Sequence, residues 1–232
     1  MVEDFLYRPL PDYLDRGLVF KLMKIILIRH GQTQWNKEEL FRGRSDIPLD
    51  DVGMKQAKAI TKRLSLFGIK TVYSSPLKRA LETAQIIAKR SNLKVKVVDD
   101  LIDFDFGEWQ GLGLKDVQEQ FPETYQKWLK EPYLVNIPNG ENLDTVRQRV
   151  SKALNKIVKG QQDDVVVVSH RVINKVLILA ALSLDNSYFW QIKQDVGAIS
   201  VLDYEGGIFA LTLLNDTYHL NMTEGKRGIK DF

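Results

Sequence analysis

Four consecutive valines, Val165 to Val168, constrain this chain more than any other feature. An unbroken β-branched run favours a strand, and a strand without polar alternation must be buried on both faces. Residues 24–29 read Lys-Ile-Ile-Leu-Ile-Arg, a second run of the same kind. Strands of this type need cover above and below, so helices are expected between them. Residues 71–74 read as a short strand and 95–98 as a weaker one. Helical periodicity fills the gaps. Residues 51–67 place Met54, Ala57, Ile60, Leu64 and Phe67 three and four apart, and residues 143–158 repeat the pattern with Val146, Val150, Leu154 and Ile157. Residues 172–182 are apolar almost all round, as in a buried helix. Ser75 as N-cap and Pro76 at the first helical position predict a helix opening there and running to about Arg90. Two late segments, 198–204 and 208–214, flank Gly206-Gly207 and read as an antiparallel hairpin.

The expected fold is therefore α/β: a three-layer α/β/α arrangement with a mostly parallel sheet and helices on both faces. Residues 101–141 break the strand–helix alternation. Their aromatics (Phe104, Phe106, Trp109, Phe121, Tyr125, Trp128, Tyr133) predict a small insertion over the C-terminal edge of the sheet. Residues 1–22 hold Pro9, Pro11 and Gly17 with no clear period, and are set apart as an N-terminal arm or extension. Residues 23–232 form a single catalytic domain. An arm packed on a second subunit would make the protein a homodimer.

Composition removes several classes of function. There is no cysteine, so disulfides, thiol nucleophiles and Cys-ligated zinc are excluded. The net charge of +3 gives no electrostatic case for a nucleic-acid or membrane partner. No stretch is long and apolar enough to span a bilayer. Glu3 and Asp4 with no apolar core directly after them are not a secretory leader, so a cytoplasmic location is expected.

Ligands of open α/β sheets sit beyond the carboxyl ends of the strands. The first strand ends at Arg29-His30-Gly31 and the second at Ser74-Ser75, with Arg79 one turn into the next helix. The valine strand ends at Ser169-His170-Arg171. Two of the three histidines and three arginines thus fall on one edge. Arginines clamp phosphate bidentately, a helix N-terminus favours an anion, and a neutral imidazole can attack phosphorus. The set suits phosphoryl transfer. It lacks the His-Glu-x-x-His spacing of a metal hydrolase and the glycine–lysine signature of a P-loop.

These residues resemble a known family. Leu27-Ile-Arg-His-Gly-Gln-Thr-Gln-Trp-Asn36 is similar to the Arg-His-Gly signature of the histidine phosphatase superfamily, in its phosphoglycerate mutase-like branch. The resemblance continues through Arg44-Ser-Asp-Ile-Pro-Leu49 and Ser74-Ser-Pro-Leu-Lys-Arg-Ala-Leu-Glu-Thr-Ala84. It then covers Asp105-Phe-Gly-Glu-Trp-Gln-Gly111, Asn139-Gly-Glu141 and Val168-Ser-His170. The ending, Asn215-Asp-Thr-Tyr-His-Leu220, resembles the phosphatase members more than the mutases.

The resemblance implies a metal-independent phosphomonoesterase acting on small phosphorylated metabolites, with no cofactor. His30 would be the nucleophile that becomes phosphohistidine. Arg29, Arg79 and His170 would hold the phosphoryl group. Gly31, Thr33 and Asn36 would line the same pocket, and Arg42 and Arg44 could reach a second anionic group. The family usually carries a glutamate as general acid where this chain has Asp103, which is intrinsically more acidic by about 0.4 pK unit. Asp103 is assigned as the acid and Glu108 is the alternative; the like charges of Asp105 and Glu108 would help Asp103 keep its proton. The second departure is Arg171, where glycine is common. It would either touch substrate or seal the pocket by pairing with an acid. A structural role is expected for His219. A cofactor-dependent phosphoglycerate mutase and a catalytically silent phosphate- or partner-binding module are the competing readings.

Overall fold

The computed structural model describes residues 22–159 and 161–221. The expected N-terminal arm therefore lies, but for Leu22, outside the described residues. Strand β1 (Met23–Arg29) leads to a short helix α1 (Gln34–Lys37), then α2 (Asp51–Arg63), β2 (Thr71–Ser74), α3 (Lys78–Arg90) and β3 (Val95–Val97). Helices α4 (Leu114–Gln120), α5 (Pro122–Lys130) and α6 (Leu143–Lys159) precede β4 (Val165–Ser169) and α7 (Arg171–Ala181). The hairpin β5 (Ile199–Glu205) and β6 (Ile208–Asp216) and a last turn, α8 (Tyr218–Asn221), close the order.

One sheet runs β3-β2-β4-β1-β5-β6. β3, β2, β4 and β1 pair in parallel, and β5 and β6 extend the sheet antiparallel. β1 and β4 sit side by side in the middle, with Ile26 opposite Val166 and Ile28 opposite Val168. Every residue of β4 is buried, which is why its sequence shows no alternation. The pleat sends Ile25, Leu27, Val165 and Val167 to one face, against apolar residues of α6 and α7. It sends Ile26, Ile28, Val166 and Val168 to the other, against Ile60 of α2, Leu64 just beyond it, and Ala80, Ala84 and Ile87 of α3. Each such fully buried side chain contributes about 1.5–3 kcal/mol. Three layers follow directly from a strand pair that is apolar on both sides.

Local chemistry sets the helix ends. Asp50 caps α2 by accepting the Gly53 N–H at 2.8 Å. Lys62 and Arg63 close the same helix, where cations suit the dipole. The expected helix over 51–67 stops four residues early, because residues 64–66 tighten into a 3₁₀ turn and Phe67 is extended. α3 also differs from expectation. It begins at Lys78 with Leu77 as N-cap, not at Pro76. Ser75 is unavailable as a cap because its hydroxyl sits 2.7 Å from His170 Nε2 and meets the Leu77 N–H only at 3.4 Å.

The aromatic insertion forms no separate core. Phe104, Phe106, Trp109, Tyr125 and Trp128 join the cluster that covers β1 and α7, with Phe104 and Phe106 rings 4.7 Å apart. Gly206 and Gly207 adopt φ of +56° and +93°, the left-handed pair that a two-residue hairpin turn requires. No helix among the described residues is long and apolar enough to cross a membrane.

Candidate active site

The carboxyl ends of β1, β2 and β4 meet, as the topology demands. The His30 amide donates to Ser169 O at 3.0 Å and the Ser75 amide to Val168 O at 3.0 Å. These bonds continue the sheet register by one residue and bring the His30 and His170 rings to 5.2 Å between centroids. Both histidines are buried.

His30 has a defined tautomer. Its Nδ1 lies 2.7 Å from the Gly31 carbonyl oxygen, which can only accept, so Nδ1 carries the hydrogen and Nε2 keeps its lone pair. Burial lowers the His30 pKa well below 6.5, and Arg79, His170, Arg29 and Arg42 lower it further. The imidazole is therefore neutral at physiological pH. Burial first, then Arg79 and Arg149, lower His170 in the same way. A neutral imidazole with a free Nε2 lone pair, ringed by guanidinium groups, can attack an electrophile that carries negative charge.

The arginines are held by main chain. Arg29 Nη1 donates to Gln194 O at 2.8 Å. Arg79 is wholly buried; its Nη1 donates to Ser45 O at 2.7 Å and its Nη2 to Gly43 O at 2.7 Å. Arg79 Nη2 also reaches Asp103 Oδ2 at 2.8 Å. Asp103 Oδ1 accepts the Phe104 N–H at 2.8 Å, and Oδ2 lies 3.4 Å from His170 Nδ1. The structure thus brings Asp103 to both histidine-side partners. The two acids expected to act on it have partners of their own: Asp105 pairs with Arg44 at 3.2 Å, and the exposed Glu108 accepts from Asn139 Nδ2 at 2.6 Å.

The remaining expected residues divide. Thr33 and Asn36 are buried together, with the Thr33 N–H and hydroxyl both donating to Asn36 Oδ1 at 2.9 Å. Asn36 Nδ2 and Arg79 Nε are buried donors without a partner among the described residues. Gly31 offers no free amide: its N–H donates to Thr83 Oγ1 at 3.2 Å and its carbonyl holds His30. It is glycine for another reason, since a Cβ there would lie 2.6 Å from Gly53 O. Arg44 does not line the cavity beside His30. Its guanidinium is drawn to Asp105 at 3.2 Å and Glu141 at 3.0 Å, carboxylates far away in sequence. His219 Nε2 donates to Gly197 O at 3.1 Å, and the Gly197 N–H donates to the His30 carbonyl at 3.2 Å, so His219 supports the backbone of His30.

The cavity over His30 and Asp103 is walled by residues 39–43 and by Phe106 and Leu114 of the aromatic insertion. Arg42 belongs to this wall; burial lowers its pKa to about 9, which leaves it charged. α7 supplies a further wall, Arg171 and Val172, with Arg171 at the pocket as its place after His170 predicts. A residue directly after a strand-end histidine must lie on the same edge.

Comparison with known proteins accords with this arrangement. A model described as "Histidine phosphatase superfamily (branch 1)" matches residues 25–217. Phosphoserine phosphatase 1 of Hydrogenobacter thermophilus is 38% identical over 200 residues, covering 86% of this chain and 95% of the relative. The adenosylcobalamin/alpha-ribazole phosphatase of Escherichia coli is 28% identical, covering 83% and 96%. A bifunctional protein of Mycobacterium tuberculosis is 34% identical, but the match spans only 55% of its length. A solved structure of Entamoeba histolytica phosphoserine phosphatase in complex with phosphoserine superposes with a TM-score of 0.77 at 29% identity, covering 85% of this chain and 99% of that one.

Proposed function

The chain belongs to the histidine phosphatase superfamily, branch 1, and on that footing we propose that it cleaves phosphomonoesters by way of a phosphohistidine on His30. It is a phosphoric monoester hydrolase acting on small phosphorylated metabolites, as are the relatives named for phosphoserine and alpha-ribazole phosphate. The observation that carries the intermediate is the fixed, neutral imidazole of His30, with hydrogen on Nδ1 and a lone pair on Nε2.

In the first step the Nε2 lone pair attacks phosphorus and the ester P–O bond breaks, leaving the phosphoryl group on His30. Arg29, Arg79, His170 and Asn36 surround the three non-bridging oxygens, and the unpartnered Arg79 Nε and Asn36 Nδ2 supply donors for them. The departing alkoxide takes a proton from Asp103. A phosphoryl group that recruits Arg79 releases Asp103 Oδ2 from its ion pair, and a phosphomonoester bound as its monoanion brings the proton that this oxygen relays to the leaving group. In the second step water attacks phosphorus, gives a proton to Asp103, and frees inorganic phosphate and neutral His30. Positioning and charge complementarity do the catalytic work.

Hydrolysis of p-nitrophenyl phosphate in EDTA, wild type beside His30→Ala, tests this. The leaving group is good, so little depends on Asp103. Activity that survives EDTA and is lost in His30→Ala is expected. Equal activity in the two proteins would sink His30 as nucleophile.

A further inference from the structure

We propose that Arg171 forms, beside the phosphoryl pocket, a subsite for a carboxylate on the substrate's alcohol portion, so that the preferred substrates are phosphorylated hydroxy acids. The proposal rests on the phosphatase reading only for what occupies the neighbouring pocket. Arg171 opens α7 directly after His170 and lines the cavity that holds His30 and Asp103. It is a cation only 9% exposed, and among the described residues no carboxylate forms an ion pair with it. Its charge persists, because burial lowers its pKa only to about 10.

Burying a cation without an anion is costly. Part of that cost is offset by Trp190, whose ring centroid lies 5.7 Å from the guanidinium carbon. Trp190 is itself fixed: its indole N–H donates to Trp128 O at 3.0 Å, and Phe189 packs at 4.9 Å. Lys175, one turn on, meets the same two rings at 4.3 and 4.5 Å. Burial brings its pKa down to about 6, so of these two α7 cations it is Arg171 that keeps its charge at neutral pH.

A guanidinium that meets a ring by a cation–π contact, with no carboxylate of the described residues on its N–H groups, keeps those donors for a planar anion. One such group matches the single charge and flat edge of a carboxylate. A second phosphate would bring twice the charge towards Asp103, the carboxylate whose field Arg171 feels. Phe106, Leu114 and Val172 in the same cavity suit the carbon skeleton between the two anionic groups. Trp190 acts as a positioning residue for Arg171.

Binding, measured by calorimetry on the His30→Ala protein, tests the subsite without turnover. The ligands are 3-phosphoglycerate and glycerol 3-phosphate, which differ by a carboxylate against a hydroxymethyl group. The carboxylate ligand is expected to bind at least about tenfold more tightly, the worth of a charge-assisted pair. Adding Arg171→Gln should narrow the ratio to about twofold or less. Adding Trp190→Leu, which keeps the charge and removes its platform, should narrow it partway. Equal affinities in the parent, or a ratio that survives both variants, overturn the subsite. Arg171-dependent preference for glucose 1,6-bisphosphate over 3-phosphoglycerate overturns the carboxylate assignment. Hydrolysis of p-nitrophenyl phosphate reports separately on the phosphatase reading, since that ester has no carboxylate. Hydrolysis without the binding preference refutes the subsite alone, and the preference without hydrolysis refutes the reading alone.

Discussion

Replacing Asp103 by asparagine separates two jobs that one carboxylate performs. The change keeps shape and leaves an amide oxygen for the Phe104 N–H. It removes the negative charge 2.8 Å from Arg79 Nη2, in a pair whose side chains are 0% and 9% exposed. Breaking a buried pair from one side costs about 3–5 kcal/mol. Arg79 retains two carbonyl acceptors at 2.7 Å, from Gly43 and Ser45, which reduces the loss to about 2 kcal/mol. For a chain of this size that lowers the melting temperature by about 4–8 °C. Inorganic phosphate should narrow the gap, because the anion takes the place of the lost charge beside Arg79. Kinetics report the second job. Loss of a general acid should slow hydrolysis of an alkyl phosphate by roughly 10²–10⁴-fold and that of p-nitrophenyl phosphate far less. Steady-state assays of both esters with one protein preparation, beside a thermal melt, give both answers. Equal losses on the two esters would refute Asp103 as proton donor, and an unchanged melt would refute the ion pair as a stabilising contact.

Other consequences follow from close contacts and buried charge. Gly53→Ala would set a Cβ 2.1 Å from Gln32 O, forcing α2 away from the loop after His30, and should cost about 3 kcal/mol in chemical denaturation; a loss below about 1 kcal/mol refutes the contact. Lys175 has its folded-state pKa pulled below the ordinary 10.5 to about 6, so the unfolded chain binds more protons between those values and wild-type stability rises with pH across that window. Lys175→Met should therefore be more stable than wild type at pH 7, with the gain shrinking towards pH 10; a gain independent of pH contradicts this. His30 is likewise lowered, from 6.5, so the unfolded chain takes up its proton first as pH falls. Wild type should lose stability relative to His30→Ala below about pH 6.5, and parallel curves would show that His30 is not held neutral.

The middle of the sheet was legible because its residues are apolar without alternation, a pattern that only two-sided burial rewards. Both β1 and β4 and the convergence of His30, His170 and Arg79 followed from that reading, and the hairpin followed from the Gly206-Gly207 turn. What escaped it depends on partners distant in sequence. Ser75 looked like a helix cap, but a histidine 95 residues away occupies its hydroxyl. Arg44 looked like a substrate cation, but Asp105 and Glu141 fold back onto it. Asp103 was expected beside two acids and instead meets Arg79, because those acids have other partners. Arg171 could be placed on the right edge from sequence, while the indole that steadies it comes from a 3₁₀ segment, Asn186–Gln191, whose periodicity announces nothing.

The two cores lie on opposite faces of a sheet one chain thick. Ile26 and Leu27 are neighbours in sequence, yet they belong to different packing systems. Cavities cut into one core should leave the energetics of the other almost untouched, so paired truncations such as Leu27→Ala and Ile60→Ala should sum. The cavity walls Phe41, Phe106 and Val172 all sit in the first core, while Ile60, Ala80, Ala84 and Ile87 fill the second. Selection for a new alcohol can therefore rework one layer while the layer beneath keeps the strand ends in place. Drift in ligand preference need not erode the folded state.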